Sequence, residues 1–199
     1  MAPESAVSLR PVTPQDAPAL LEIYRPYVLE TTVTFETAVP EEAEFARRIG
    51  DIAPRFPYLA AEAPEGTLLG YAYARPFGER AAYRWTVETS IYLRREVRGR
   101  GIGKKLYRAL LAILEKQGVR SAVAVITVPG EESLGFHRAL GFQDRGLIPR
   151  AGYKRGLWCG VAHLQYELPA PREAPGPLIP MEALDPAFVS RTLRAAAEA

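Results

Sequence analysis

The chain has 199 residues, 48% of them hydrophobic and 24% charged, which is enough apolar material for one domain with its own core. A formal net charge of +2 is too small to argue by itself for nucleic acid, and a single cysteine, Cys159, excludes an internal disulfide. Residues 1–12 lack the apolar run of a signal peptide, and no stretch reaches the roughly 18 consecutive apolar residues of a membrane span, so a cytoplasmic protein without membrane contact is expected.

Residues 6–11 read as a short strand. Thr13 reads as a helix N-cap, with Pro14 at the first helical position and Asp16 in the first turn; Ala17, Leu20, Leu21, Ile23 and Tyr24 then follow helical spacing. Four threonines and Phe35 over 28–39 predict a loop or irregular extended segment. Pro40 opens a second helix with Ala43, Phe45, Ala46 and Ile49 on its inner face. Strands are predicted over 58–63 and 67–77, joined by Pro64-Glu65-Gly66, and over 85–93. A basic, glycine-rich loop leads into a helix over 102–117, with Ile102, Leu106, Leu110 and Leu114 in one row and Gly118 ending it.

The apolar run 121–128 predicts a strand buried on both faces. A short helix over 131–140 closes at Gly141, and strands over 142–150 and 157–168 complete the domain. Residues 169–199 are proline-rich at first and read as an appendage, with Asp185-Pro186 starting a short helix that carries Phe188, Val189 and Leu193 on one side. The order β-α-α-β-β-β-α-β-α-β-β predicts an α/β fold, a mixed sheet flanked by helices on both faces. The expected division is one domain over 1–168 and a Pro/Ala-rich tail over 169–199.

Three segments carry chemistry. The first is Val97-Arg98-Gly99-Arg100-Gly101-Ile102-Gly103-Lys104, between a strand and a helix. Glycines admit close approach of a ligand to the backbone, and the free N–H groups and dipole of the helix start favour an anion. No Gly-Lys-Ser/Thr closes the loop, and position 104 is lysine rather than the third glycine of a dinucleotide fingerprint, so Arg98-x-x-Gly101-x-Gly103 is a tighter phosphate cradle. Residues 94–108 hold seven Lys or Arg against one Glu; a solvated basic helix start is the bland alternative. The second segment is Gly130 to Phe142, where Ser133 and His137 stand one helical turn apart; a lone helical histidine is more often structural. The third is Glu88, a carboxylate in a strand expected to be central, either used chemically or paired with Arg80 or Arg84.

Taken together, these motifs resemble the GNAT superfamily of acetyltransferases, and more narrowly its phosphinothricin and methionine-sulfoximine acetyltransferase family. Tyr27…Phe35, Arg80-x-x-Tyr83-x-Trp85-Thr86-x-Glu88, Val123-Ala124-Val125-Ile126 and Gly152-Tyr153-Lys154-x-Gly156-x-Trp158 also match, so that the resemblance runs from about Val7 to Pro169. It implies a GNAT-like acyl-CoA N-acyltransferase fold whose fourth and fifth strands splay apart, with the pantetheine of acetyl-CoA in the opening. The backbone of Ile91, Tyr92 and Leu93 would line that cofactor, and Gly99, Arg100, Gly101, Ile102, Gly103 and Lys104 would hold its pyrophosphate. Gly130 and Ser133 would complete the cofactor site. Glu88 is implied as the base for the amine, and His137, where many members have tyrosine, as general acid toward the leaving thiolate. Phe35, Arg80 and Tyr83 are expected at the acceptor, with no metal. Gly130, Gly160, Leu164 and Arg25 depart from the family pattern and bear mainly on acceptor identity.

The chemistry agrees with that implication. An amine attacks only when neutral, so a carboxylate must take its proton, and the thioester oxygen needs a donor as it gains charge. Direct attack on the thioester requires no acyl-enzyme, and Cys159 has no evident activating partner. The expected acceptor is a small amino-acid-like amine, with Arg80 meeting its carboxylate. A protein or peptide acceptor, or a non-catalytic acetyl-CoA sensor, are the alternatives. A nucleic-acid partner is not expected, since the basic segment lacks interleaved aromatic platforms. A homodimer is expected from the resemblance and from Val28, Leu29, Val33, Phe35 and Val39, which are too apolar for a free loop.

Overall fold

The computed structural model describes residues 7–169 and 174–199. Its strands are β1 (Ser8–Pro11), β2 (Tyr58–Glu62), β3 (Leu68–Pro76), β4 (Thr86–Leu93), β5 (Ser121–Val128), β6 (Gln143–Lys154) and β7 (Leu157–Glu167). The helices are α1 (Ala17–Glu30), α2 (Glu42–Ile52), α3 (Ile102–Gln117), α4 (Glu131–Ala139) and α5 (Pro186–Glu198). The sequence-based order is reproduced up to the tail. Ala6, expected to open the first strand, and residues 170–173 of the tail lie outside the described residues.

The seven strands form one sheet in the order β1-β2-β3-β4-β5-β7-β6. All pairs are antiparallel except β4 and β5. Period-two alternation divides the sheet between two cores. On one face Leu59, Ala61, Ala72, Ala74, Val87, Ala122 and Ala124 pack under α3. On the other, Tyr58, Ala60, Leu68 and Tyr71 pack under α1 and α2. Alanines along the α3 face let the helix approach the strands, and Leu106, Leu110, Ile113 and Leu114 are fully buried there.

The first helix begins as the sequence predicts. The Thr13 N–H donates to the Asp16 carboxylate at 2.8 Å, and a short 3-10 turn over Pro14–Asp16 feeds α1. The helix runs on to Glu30, so Val28 is a buried helical residue rather than part of an extended segment. Ala43 is exposed on α2, whereas Phe45 and Ile49 are buried as expected. The prediction for α3 and β5 holds to the residue, although Val125 is exposed on β5. β6 continues past Arg150 to Lys154, because Arg150 takes a left-handed conformation (φ 50°) and bulges without ending the strand.

The tail is tied to the domain. Trp85 Nε1 donates to Gly176 O at 2.8 Å, Gln117 Nε2 donates to Ile179 O at 2.8 Å, and the Met181 N–H donates to Arg55 O. Asp185 then caps α5 through Ala187 N–H, and Leu184, Val189, Leu193 and Ala196 join the α3 core. No helix among the described residues is long and apolar enough to cross a membrane. Leu193→Ala should therefore cost about 2–5 kcal/mol, as a core truncation does. Urea unfolding measures it; a change under about 0.5 kcal/mol, typical of surface positions, would mean that α5 only rests on the domain.

Candidate active site

β4 and β5 pair only over Thr86–Thr89 and Ser121–Ala124. Beyond that point β4 stays with β3 and β5 stays with β7 along its whole length, so the two strands part. Ser90 to Leu93 thus have no sheet partner on the β5 side. Backbone groups left in this way need a partner. At Leu93 the partner is Tyr27, whose hydroxyl donates to Leu93 O at 2.6 Å and accepts from Leu93 N–H at 3.2 Å. Arg98 donates to the same hydroxyl at 3.0 Å and reaches Glu132 at 3.3 Å. A ligand that hydrogen-bonds to Leu93 would displace the Tyr27 hydroxyl, which keeps Arg98 as a donor.

The basic loop lies at the mouth of this opening. Gly99 and Gly101 have φ of 76° and 77°, where an L side chain is strained, and a Cβ at either would meet open space. The space beside both glycines is open and the constraint is in the backbone, which fits a phosphate cradle at the start of α3. Gly103 is glycine for packing: a Cβ would stand 3.1 Å from the Phe136 ring and 3.3 Å from Ile91. Ile102 is buried, while Arg100 and Lys104 are exposed beside the loop. Gly130, before α4, admits no side chain, because a Cβ would lie 2.3 Å from Thr127 O. The residues present thus fit an extended, phosphate-bearing cofactor. A wider cleft of about 1450 Å³ lies between α5, β1 and the loop, touching Arg100, Gly101 and Lys105 but not Glu88.

At the apex of the opening is a cavity of about 640 Å³, a size suited to a small ligand. Glu88, Ser90 and Tyr92 reach it from alternate positions of β4, Val125 and Thr127 from β5, and Phe35 and Glu36 from the segment after α1. Glu88 accepts from Arg75 Nη2 at 2.6 Å, its cross-strand neighbour on β3. The charge partner of Glu88 is therefore neither Arg80 nor Arg84. Arg80 precedes a 3-10 turn over Ala81–Tyr83, and Tyr83 packs edge-on against Phe77; both are exposed and neither lines the cavity. Arg75 and Arg48 supply its positive charge, and Arg48 is paired with Glu36 at 2.6 Å and Glu44 at 2.6 Å.

Tyr24, Tyr58, Tyr71, Tyr73 and Tyr92 also line the cavity. Burial pushes Tyr24 up to about 12 and holds Tyr58, Tyr71 and Tyr92 well above the usual phenol range. They are neutral hydrogen-bonding groups and not bases. Two carboxylates line the cavity, and each is paired with an arginine: Glu36 with Arg48 and Glu88 with Arg75.

His137 and Ser133 lie on one turn of α4, as expected; His137 faces inward, and Ser133 is partly exposed. His137 is 3% exposed. Its Nδ1 is 2.8 Å from Ser133 O, which can only accept, so Nδ1 carries the proton. Nε2 then accepts from Tyr107 OH at 2.8 Å, and Tyr107 reaches Thr89 Oγ1 at 3.3 Å. The neutral imidazole holds α4 against α3 and β4, and it has no proton directed at the opening. Tyr27, Arg75 and Tyr107 are the residues that local reading left without a role; each is defined by a contact between distant elements.

A sheet split between two parallel strands, with an anion cradle at its mouth and a carboxylate at its apex, is the architecture of an N-acetyltransferase. Residues 9–160 match the Acetyltransferase (GNAT) domain, and the chain belongs to that family. A phosphinothricin N-acetyltransferase of Streptomyces viridochromogenes is 40% identical over 91% of this chain and 98% of its own length. An L-methionine sulfoximine/L-methionine sulfone acetyltransferase of Pseudomonas paraeruginosa is 34% identical over 85% of this chain and 99% of its own. Among solved structures, a GNAT phosphinothricin acetyltransferase from Sinorhizobium meliloti in complex with acetyl-CoA superposes with a TM-score of 0.79, at 41% identity over 82% of this chain and 89% of that one.

Burial holds the His137 imidazole below its ordinary value of 6.5, despite the opposing bond from Ser133. Below about pH 6.5 the unfolded chain takes up a proton that the native state refuses, so stability falls as pH drops through that value. His137→Asn should be less stable than wild type at pH 7.5 and should lose less on going to pH 5.5. Melting temperatures at the two pH values test this; parallel losses in both proteins would mean that His137 titrates freely when folded.

Proposed function

We propose that the protein acetylates the α-amine of a compact amino acid or amino-acid analogue, with acetyl-CoA as acetyl donor. The observation that carries this reading is the Glu88–Arg75 pair lining the cavity at the apex of the split sheet. A zwitterion matches it: the ammonium faces Glu88, and the carboxylate faces the guanidinium of Arg75, whose fork suits a planar anion. Neutral tyrosine hydroxyls around the cavity suit a further oxo or imino group, such as the phosphinate of phosphinothricin or the sulfoximine of methionine sulfoximine. The relatives named for those substrates support the choice. The two arginines lining the cavity suit the free carboxylate of an amino acid, which an internal peptide residue lacks.

Acetyl-CoA supplies an activated acyl group. The glycine loop from Gly99 to Lys104 is assigned to its pyrophosphate, and the β4 edge from Ile91 to Leu93, with Gly130 and Ser133 opposite, to its pantetheine. Glu88 takes the ammonium proton, directly or through a water, so that the nitrogen lone pair becomes free. Transfer is direct: the single thiol, Cys159, is buried on β7 and does not line the cavity. The neutral His137 is assigned a positioning role behind Thr89, and a water delivers the proton to the thiolate. Arg80 and Tyr83 are left to the outer rim.

The acting species is proposed to be a homodimer. Leu147, Ile148, Tyr153, Leu157 and Trp158 of the β6–β7 hairpin are more than half exposed, and Leu29 and Val33 are nearly so. A patch of this kind on a small protein marks an interface. A second copy is the occupant most consistent with its position beside the acceptor segment.

Glu88→Gln should lower turnover by about 10²–10⁴-fold, the range for loss of a general base, and leave the dissociation constant for acetyl-CoA nearly unchanged. Wild-type turnover at neutral pH in this variant would assign Glu88 to structure. Light scattering at micromolar concentration should give twice the chain mass of 21.9 kDa, and Trp158→Asp should give the single-chain mass. A wild-type mass of one chain would remove the dimer.

A further inference from the structure

One wall of the acceptor cavity is built by a segment with no regular structure. Residues 31–41 follow α1 and precede α2 without a helix or strand, yet Phe35 and Glu36 face the same cavity as Glu88, and Glu36 holds Arg48. Such a segment keeps a defined shape only if its polar groups are tied down. Tyr24 OH and Thr34 Oγ1 are 2.7 Å apart, and Thr127 Oγ1 reaches Val33 O at 3.4 Å. The strongest tie comes from the end of β6. Lys154 is 6% exposed, and its Nζ donates to Thr34 O at 2.7 Å and reaches Tyr27 O at 3.5 Å.

Lys154 has no carboxylate partner among the described residues; its contacts are backbone carbonyls. Burying an ammonium is costly, and that cost persists only where the carbonyls it meets need it. Tyr27 O belongs to the last turn of α1, where the helix dipole favours a cation. Gly152 lies two residues earlier on the same face of β6. A Cβ there would be 2.5 Å from one atom of the Phe35 ring and 2.8 Å from two more, so the ring lies flat on the glycine. Tyr153, between them, points outward and is 60% exposed. Two same-face positions of one strand thus hold the carbonyl of residue 34 and the ring of residue 35.

We propose that Lys154 is a specificity-determining positioning residue: with Gly152 it fixes Phe35 and Glu36 and so sets the width of the acceptor pocket. The inference rests on reading the cavity as the amine site. A fixed wall in the cavity that Glu88 shares admits a compact amino acid and rejects a longer one, whereas a loose wall tolerates both.

Lys154→Met keeps the apolar stem and removes the donor. In this variant, amide hydrogen exchange over 31–36 should accelerate about tenfold or more, the cost of one hydrogen bond to a charged group. The Michaelis constant for the amine should rise by about the same factor, with kcat and the dissociation constant for acetyl-CoA within about twofold of wild type. Discrimination between a short and a long amino acid should shrink. Lys154→Arg, which keeps a cationic donor, should recover most of the loss. Gly152→Ala displaces the Phe35 ring by an independent route and should give the same pattern even where Lys154→Met does not fold. Unchanged exchange over 31–36 in folded Lys154→Met or Gly152→Ala overturns the proposal, as does an equal shift in the constants for amine and acetyl-CoA. A wild-type protein that acetylates no amine would overturn the reading of the cavity, while the exchange measurement would still decide whether Lys154 holds the segment.

Discussion

β4 and β5 can hydrogen-bond to each other for only four residues, and the site is a consequence of where that pairing stops. Each strand is committed elsewhere, β4 to β3 and β5 to β7, so the sheet behaves as two halves hinged at Thr89 and Ala124. An open strand edge inside a protein is costly unless its backbone groups are met. Tyr27 meets them at Leu93, and an extended ligand with its own amides is the natural replacement. The start of α3, which follows β4, is necessarily at the mouth of the opening, so the anion cradle and the strand edge lie along one line. Glu88 stands just before the hinge, where a side chain on the α1 face reaches the apex of the gap.

The acceptor end is governed by charge. Glu88–Arg75 and Glu36–Arg48 are ion pairs bordering one cavity, and the remaining polar side chains are the hydroxyls of Thr34, Ser90 and Thr127 and phenols that burial keeps protonated. A zwitterionic guest can satisfy the first pair without leaving either member unmatched. A simple cation would leave Arg75 without an anion, and a simple anion would leave Glu88 without a cation. With the cavity as the proposed amine site, that asymmetry favours an amino acid over a simple cation or anion.

Much of this was legible in the chain. Helical spacing with a terminal Gly118 defined α3, and an unbroken apolar run defined β5, because both signals are local. The glycine spacing from Gly99 to Gly103 was legible for the same reason. The limits of α1 and β6 were not. Val28 opens a threonine-rich run that reads as extended, yet it packs in the α1 core, and Arg150 bulges with a positive φ that a non-glycine residue does not announce. Arg75 was missed because its pairing with Glu88 depends on the β3–β4 register, which turns a separation of thirteen residues into direct contact. Arg80 and Tyr83 are nearer in sequence but lie on a turn that carries them outward. The tail, read as an appendage, shares the α3 core through Leu184, Val189, Leu193 and Ala196; proline content described its path but not its docking.

The most direct measurement is acetyl transfer itself. The protein is incubated with acetyl-CoA and, one at a time, phosphinothricin, methionine sulfoximine, common amino acids and their carboxyl-blocked amides, and thiol release and product mass are followed. One acetyl group is expected on the α-amine of at least one free amino acid or analogue, with the matching amide a much poorer acceptor. Equal rates with acid and amide would contradict the assignment of the Glu88–Arg75 pair to a zwitterion, and thiol release without any N-acetyl product would contradict the assignment of the cavity to an amine.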